Sequence, residues 1–115
     1  TEHDLRQTMP RFNTDHYPAN LSLLPAYLNL AERQGCTPAQ LALAWVVAQG
    51  DHVIAIPGTQ NLSHLEENVA ANDLVLDTEI RVELDHLINQ HTVHGARYSE
   101  KAQATVTTER FSAID

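Results

Sequence analysis

The sequence predicts an α/β chain that is mostly helical, with one strand of the buried type. Three observations carry this. Apolar side chains recur at helical spacing in several stretches. Two tetrapeptides have the form of helix-capping boxes. One continuous β-branched run, Val53-Ile54-Ala55-Ile56, is closed by Pro57-Gly58. At 115 residues the chain is one domain at most, or a piece of a larger one.

Residues 1–19 are polar, carry Pro10 and Pro18 and show no sustained period, so they read as a loop or arm. Leu24, Tyr27, Leu28 and Ala31 then fall on one helix face, which predicts a helix over about 22–34. Pro25 sits in its first turn, where a missing N–H costs nothing, and Gly35 is its stop. Thr37-Pro38-Ala39-Gln40 is a capping box with proline at the first helical position, and it opens a helix over 37–49. Leu41, Ala44, Trp45 and Ala48 form its stripe; Ala42 and Leu43 widen it, which predicts a well-buried helix.

The run at 53–56 does not alternate, so it suits a strand covered on both faces, as in a parallel sheet. A helix over 61–71 follows, opened by Asn61 or by a second capping box, Ser63-His64-Leu65-Glu66, with Leu62, Leu65 and Val69 facing inward. The last helix, over 78–89, has Asp77 or Thr78 as cap and Ile80, Leu84, Leu87 and Ile88 as stripe. The whole segment spans 20–90, and residues 91–115 read as a tail. A single strand cannot satisfy its own backbone donors and acceptors. Either it pairs with another chain, or the segment is not a strand here, or the chain is part of a larger sheet protein.

Charge and composition remove several function classes. Seven Lys plus Arg stand against fifteen Asp plus Glu, a formal charge of −8. That balance argues against a nucleic-acid or anionic-membrane partner, which needs clustered cations. No run of about 18 apolar residues exists to span a bilayer. The opening residues show no basic and apolar signal pattern, and the lone Cys36 fits a reducing compartment, so a cytoplasmic location is expected. His86, His91 and His94 are spaced by five and three, which does not suit a shared helical face, and no metal is expected. Glu66-Glu67 are adjacent and point about 100° apart on a helix, which argues against a catalytic pair.

The segment with most chemical content is Ile54 to Asn68. It reads as strand, tight turn and helix N-terminus, an arrangement that presents free N–H groups and partial positive charge to a phosphate. Gly58 allows close backbone approach and the Thr59 hydroxyl adds a donor. Taken alone the pattern is weak, because a plain β–α connection looks the same.

Thr37-Pro38-Ala39-Gln40-Leu41-Ala42-Leu43-Ala44-Trp45, then Ile56-Pro57-Gly58-Thr59, then Leu65-Glu66-Glu67-Asn68 resemble the C-terminal third of an aldo-keto reductase. Pro10-Arg11-Phe12 and Gly95-Ala96-Arg97-Tyr98 resemble that family's flanking segments, so the likeness covers about residues 4–98. The resemblance implies the last part of a (β/α)8 TIM barrel, with 53–56 as the eighth strand, and an oxidoreductase that moves hydride between NADP(H) and a carbonyl or alcohol. It places Gly58, Thr59 and Gln60 at the 2′-phosphate and ribose end of the cofactor, and Glu67 and Asn68 at the adenine. The family position that usually holds arginine is His64 here, and one often held by lysine is Asn61. Both changes remove fixed positive charge, which brings NAD(H) in as an alternative cofactor.

The resemblance supplies none of the family's catalytic Asp, Tyr, Lys and His set within these residues. Lys101 lies in the tail, and Tyr17, Tyr27 and Tyr98 match no catalytic position. The expected function is therefore the adenosine-phosphate end of a nicotinamide-nucleotide site in a fragment that is inactive alone, completed by the missing barrel portion. The competing expectation is a non-enzymatic helical interaction module that self-associates through surfaces meant to cover a barrel.

Overall fold

The computed structural model describes residues 4–107. The last residues of the expected tail, 108–115, lie outside the described residues. The chain divides into two compact units, one formed by Thr1–Leu24 and Ile88–Asp115, the other by Pro25–Leu87.

In the first unit, Asp4 caps a 3-10 turn at Leu5–Thr8 by accepting from the Arg6 N–H at 3.0 Å, and the Arg6 guanidinium pairs with the same carboxylate. A second turn at Pro10–Phe12 leads to α1 (Tyr17–Leu21). Residues far apart in sequence are joined by one side chain. Asn20 Nδ2 donates to the carbonyls of Arg11 (3.1 Å) and His94 (2.9 Å), while its Oδ1 accepts from the His94 N–H at 2.8 Å. Arg11 Nε donates to the Gly95 carbonyl at 3.0 Å. Gly95 has φ +83°, and a Cβ there would meet the His16 ring at 2.7 Å, so only glycine fits.

The second unit carries α2 (Leu24–Gln34), α3 (Pro38–Val47), α4 (Leu62–Ala70) and α5 (Thr78–Leu87). Its core is Leu30, Ala31, Leu41, Ile80 and Leu84, lined by the half-buried Tyr27, Cys36, Trp45, Leu76 and Leu87. Leu41, at 0 % exposure, is its centre. Burial of such a side chain contributes roughly 1.5–3 kcal/mol. Polar ties fix how these helices sit. Arg33 on α2 makes a two-pronged pair with Glu83 on α5, at 2.8 and 2.6 Å. Trp45 Nε1 on α3 donates to Asp85 Oδ1 at 2.7 Å, and the Tyr27 hydroxyl donates to the Pro38 carbonyl at 2.6 Å. Burial pushes the Tyr27 phenol up from its ordinary range.

α2 ends as its glycine requires. Gly35 takes φ +72°, its N–H donates to the Glu32 carbonyl at 3.0 Å, and Cys36 N–H donates to the Ala31 carbonyl at 3.1 Å, a Schellman closure. The capping box of α3 is formed in both directions.

Four expectations are corrected. Residues 53–56 are not a strand: the described residues are helical, with no β-ladder anywhere among them. The segment is an irregular connection: a strand exists only where its backbone is hydrogen-bonded to another, and no hydrogen bond among the described residues reaches the backbone of residues 54–58. The stripe of α2 is rotated: Leu30 and Ala31 are buried while Leu24 and Leu28 are exposed. α3 is not buried around its circumference, for Ala42 is exposed and Leu43 half-buried. The apolar face of α4 does not point inward, since Leu62 (70 %) and Val69 (64 %) are exposed and Leu65 is too. The last correction shares its cause with the first: the surface that α4 and this segment would cover is absent from the described residues.

Candidate functional site

An irregular stretch runs from Val53 to Thr59 and delivers the chain to the N-terminus of α4. Thr59 Oγ1 accepts from the Asn61 N–H at 3.1 Å. Asn61 is the N-cap: its Oδ1 accepts from the Ser63 N–H at 2.9 Å and from the Ser63 hydroxyl at 2.7 Å. Ser63 is thus inside the helix, and the expected Ser63–Glu66 capping box is not formed. Asn61 wins because an amide cap is at least as good as a hydroxyl, and the Thr59 turn has already aimed it. The N–H groups of Leu62 and His64 have no acceptor among the described residues, so they remain available to an anion.

Gly58 is exposed, and a Cβ added there would meet nothing within 4 Å, so the protein's own packing does not demand glycine at this place. Gln60 and His64 are exposed, and Thr59 is half-buried. These four, with Asn61, line one loop and the first turn of α4. No Asp, Glu, Lys or Arg occurs from His52 to Leu65, so the fixed positive potential here is that of the helix terminus.

Glu67 and Asn68 diverge from that group. Asn68 lines a groove of about 200 Å³ with Leu43, Val47, Val53, Ala71 and Asn72. Glu67 is half-buried and turned toward α3: its Oε1 accepts from the Thr37 hydroxyl, and its backbone carbonyl accepts from Gln40 Nε2 at 3.1 Å. The six expected site residues therefore form a loop-and-turn group of four and two outliers on the next turn of α4. Glu66, expected as a capping-box acceptor, is exposed and makes no cap. Thr37 and Gln40 were legible as a cap but not as partners of Glu67. The one hint was a cap hydroxyl whose proton the cap itself does not use.

Among the described residues no group of three or more His, Cys, Asp or Glu is arranged to hold a metal, and no helix is long and apolar enough to cross a membrane. Burial pushes the Cys36 thiol up, away from thiolate reactivity.

A family model described as the aldo/keto reductase family matches residues 1–89. The chain is 36 % identical over 94 residues to the aldo-keto reductase str7 of Strobilurus tenacellus, covering 82 % of this chain and 28 % of the relative. It is 35 % identical over 105 residues to the aldo-keto reductase yakc [NADP(+)] of Schizosaccharomyces pombe, covering 91 % of this chain and 31 % of the relative. No solved structure matches it. The chain belongs to the aldo/keto reductase family. It spans less than a third of the length of these two relatives.

Proposed function

We propose that these 115 residues carry the adenosine-phosphate end of the nicotinamide-nucleotide site of an aldo-keto reductase, a carbonyl or alcohol oxidoreductase built as a (β/α)8 barrel. The observation that supports it best is the approach to α4, an irregular segment delivering an open glycine and two unclaimed N–H groups to one exposed turn. Gly58, Thr59 and Gln60 would meet the 2′-phosphate and ribose. His64 would lie over the adenine beside the 2′-phosphate, and Glu67 and Asn68 would meet the adenine. NADP(H) is the first cofactor, and the bracketed NADP(+) in the name of the fission-yeast relative supports that choice by kinship. NAD(H) is the alternative, because His64 and Asn61 bring no fixed cation to a phosphate dianion.

Chemistry is not part of this role. Lys101 sits exposed on a short helix, α6 (Glu100–Gln103), and the Tyr27 hydroxyl is bound to a backbone carbonyl, so neither forms the lysine–tyrosine pair a proton donor needs. The chain by itself turns over no carbonyl substrate. Its part in the reaction is remote binding energy that holds the nicotinamide where another portion of the barrel reacts it.

The test is a far-UV circular dichroism melt with NADPH, NADH or neither. A ligand that binds only the folded chain raises its stability by about 2.7 kcal/mol at a hundredfold excess over Kd. A midpoint raised by NADPH supports the reading, and a cooperative melt that neither nucleotide moves overturns it.

One observation favours a second reading, self-association without nucleotide. Ile54 and Ile56 are 83 % and 92 % exposed, and no hydrogen bond among the described residues reaches the backbone of residues 54–58. An open backbone of this kind invites pairing with another chain.

A further inference from the structure

Thr37 Oγ1 serves two partners at once. It accepts from the Gln40 N–H at 3.2 Å, closing the cap of α3, and gives its own proton to Glu67 Oε1. Gln40 is doubly engaged as well: Oε1 accepts from the Thr37 N–H at 3.1 Å, and Nε2 donates to the Glu67 carbonyl at 3.1 Å. The cap of one helix thus grips the next at a single residue, by side chain and main chain together. Glu67 has a second carboxylate oxygen, and no described residue donates to it. A carboxylate offers about four acceptor sites over its two oxygens, so Oε2 keeps its full capacity for a donor from outside.

We infer that Thr37 is a positioning residue for nucleotide binding: its hydroxyl holds the Glu67 side chain in one rotamer, with Oε2 presented to the exocyclic amino group of an adenine. This rests on the reading of Glu67 given under the proposed function. A free glutamate loses rotamer freedom when it binds; one already held by its neighbour loses little, so the hydroxyl pre-organises the contact. The role needs a group that accepts and donates at once. Serine does both. Aspartate is as good a cap as any residue, but it has no proton to give and its charge repels Glu67. Glycine keeps the cap nearly intact and also gives nothing to Glu67.

The experiment measures Kd for NADPH and for its hypoxanthine analogue, in which a carbonyl oxygen replaces the amino group, by calorimetry on the 115-residue chain. Thr37→Ser, Thr37→Asp and Thr37→Gly are compared with the wild type, each with its own melt. The wild type and Thr37→Ser should prefer the adenine form, by about tenfold for a hydrogen bond to a charged group. Thr37→Asp and Thr37→Gly should melt close to the wild type yet lose most of that preference. Thr37→Gly decides the matter if Thr37→Asp does not fold. The inference is overturned if either folded variant keeps the preference. It is also overturned if the wild type binds both nucleotides equally, which leaves the nucleotide site itself standing. A wild type that binds neither nucleotide overturns both readings, and is told apart by that.

Discussion

In the proposed cofactor site, His64 is the single side chain on which the choice of nucleotide would turn. It is exposed on the first turn of α4, one turn ahead of Asn68, in a stretch without any fixed charge. An arginine there would bring a permanent planar cation with several donors to a phosphate. His64→Arg is therefore expected to tighten NADPH about tenfold while changing NADH little, a charge-assisted bond being worth roughly 1.5–3 kcal/mol. Equal tightening of both nucleotides in parallel titrations would place the side chain away from the 2′-phosphate.

The Arg33–Glu83 pair gives a pH dependence at the same scale. The Arg33 guanidinium holds the Glu83 carboxyl below its ordinary range. A carboxylate depressed in the folded state adds stability above its unfolded pKa and loses it as pH falls through the folded value. The wild type should then outlast Glu83→Gln at neutral pH, with the gap closing as the solution is acidified below about pH 4. The gap is expected to be small, because the pair is exposed. Asp4 behaves likewise on its own turn, where the Arg6 hydrogen bonds hold its carboxyl down to about 2. A gap between the wild type and Glu83→Gln that widened in acid would contradict the Glu83 assignment.

At the scale of elements, the ends of the helices are the most legible feature, and one start is left open between two residues. The start of α3 was readable because a capping box lies within four consecutive residues and needs nothing from elsewhere. The start of α4 offered two caps, Asn61 and Ser63, two residues apart. Local chemistry could not rank them until the Thr59 hydroxyl was seen to take the Asn61 N–H. Asn61→Ala should cost about 1 kcal/mol of stability in a thermal melt. Ser63→Ala, inside the helix, should stay within about 0.5 kcal/mol. The reverse order would restore Ser63 as the cap.

The helix stripes show the limit of periodicity. Spacing places Ala31, Leu41, Ile80 and Leu84 on apolar helix faces, and these do form the core, together with Leu30, which the spacing left off the stripe. The same rule applied to Leu62, Leu65 and Val69 also finds a face, but that face is exposed. Periodicity reports that a helix has something to bury. It does not report whether the covering surface is there.

For the whole molecule, apolar exposure and charge act against each other. The unit Pro25–Leu87 holds nine acidic residues and two arginines, so copies of the chain repel. Ile54 and Ile56 stand open beside a stretch without charge. Association through them should strengthen with salt, as screening removes the repulsion and leaves apolar burial in place. Sedimentation velocity at low and high ionic strength is expected to show this. The pair Ile54→Ser and Ile56→Ser should abolish it without altering the melt of a dilute sample. Association unchanged in that variant would put the contact elsewhere.

Interactions closed within a few residues were determined by the sequence itself. The helical periods, the Thr37–Gln40 cap, the glycine stop at Gly35 and the ordered blocks that mark the family need only neighbours along the chain. Tertiary structure alone decided what depends on distant partners. Asn20 meets His94 across 74 positions, Thr37 finds Glu67, and Val53–Ile56 forms no strand among the described residues. A strand, a buried face and a held carboxylate are properties of pairs of segments. Either segment's sequence states only half of each, and the other half enters when folding brings the two together, or fails to.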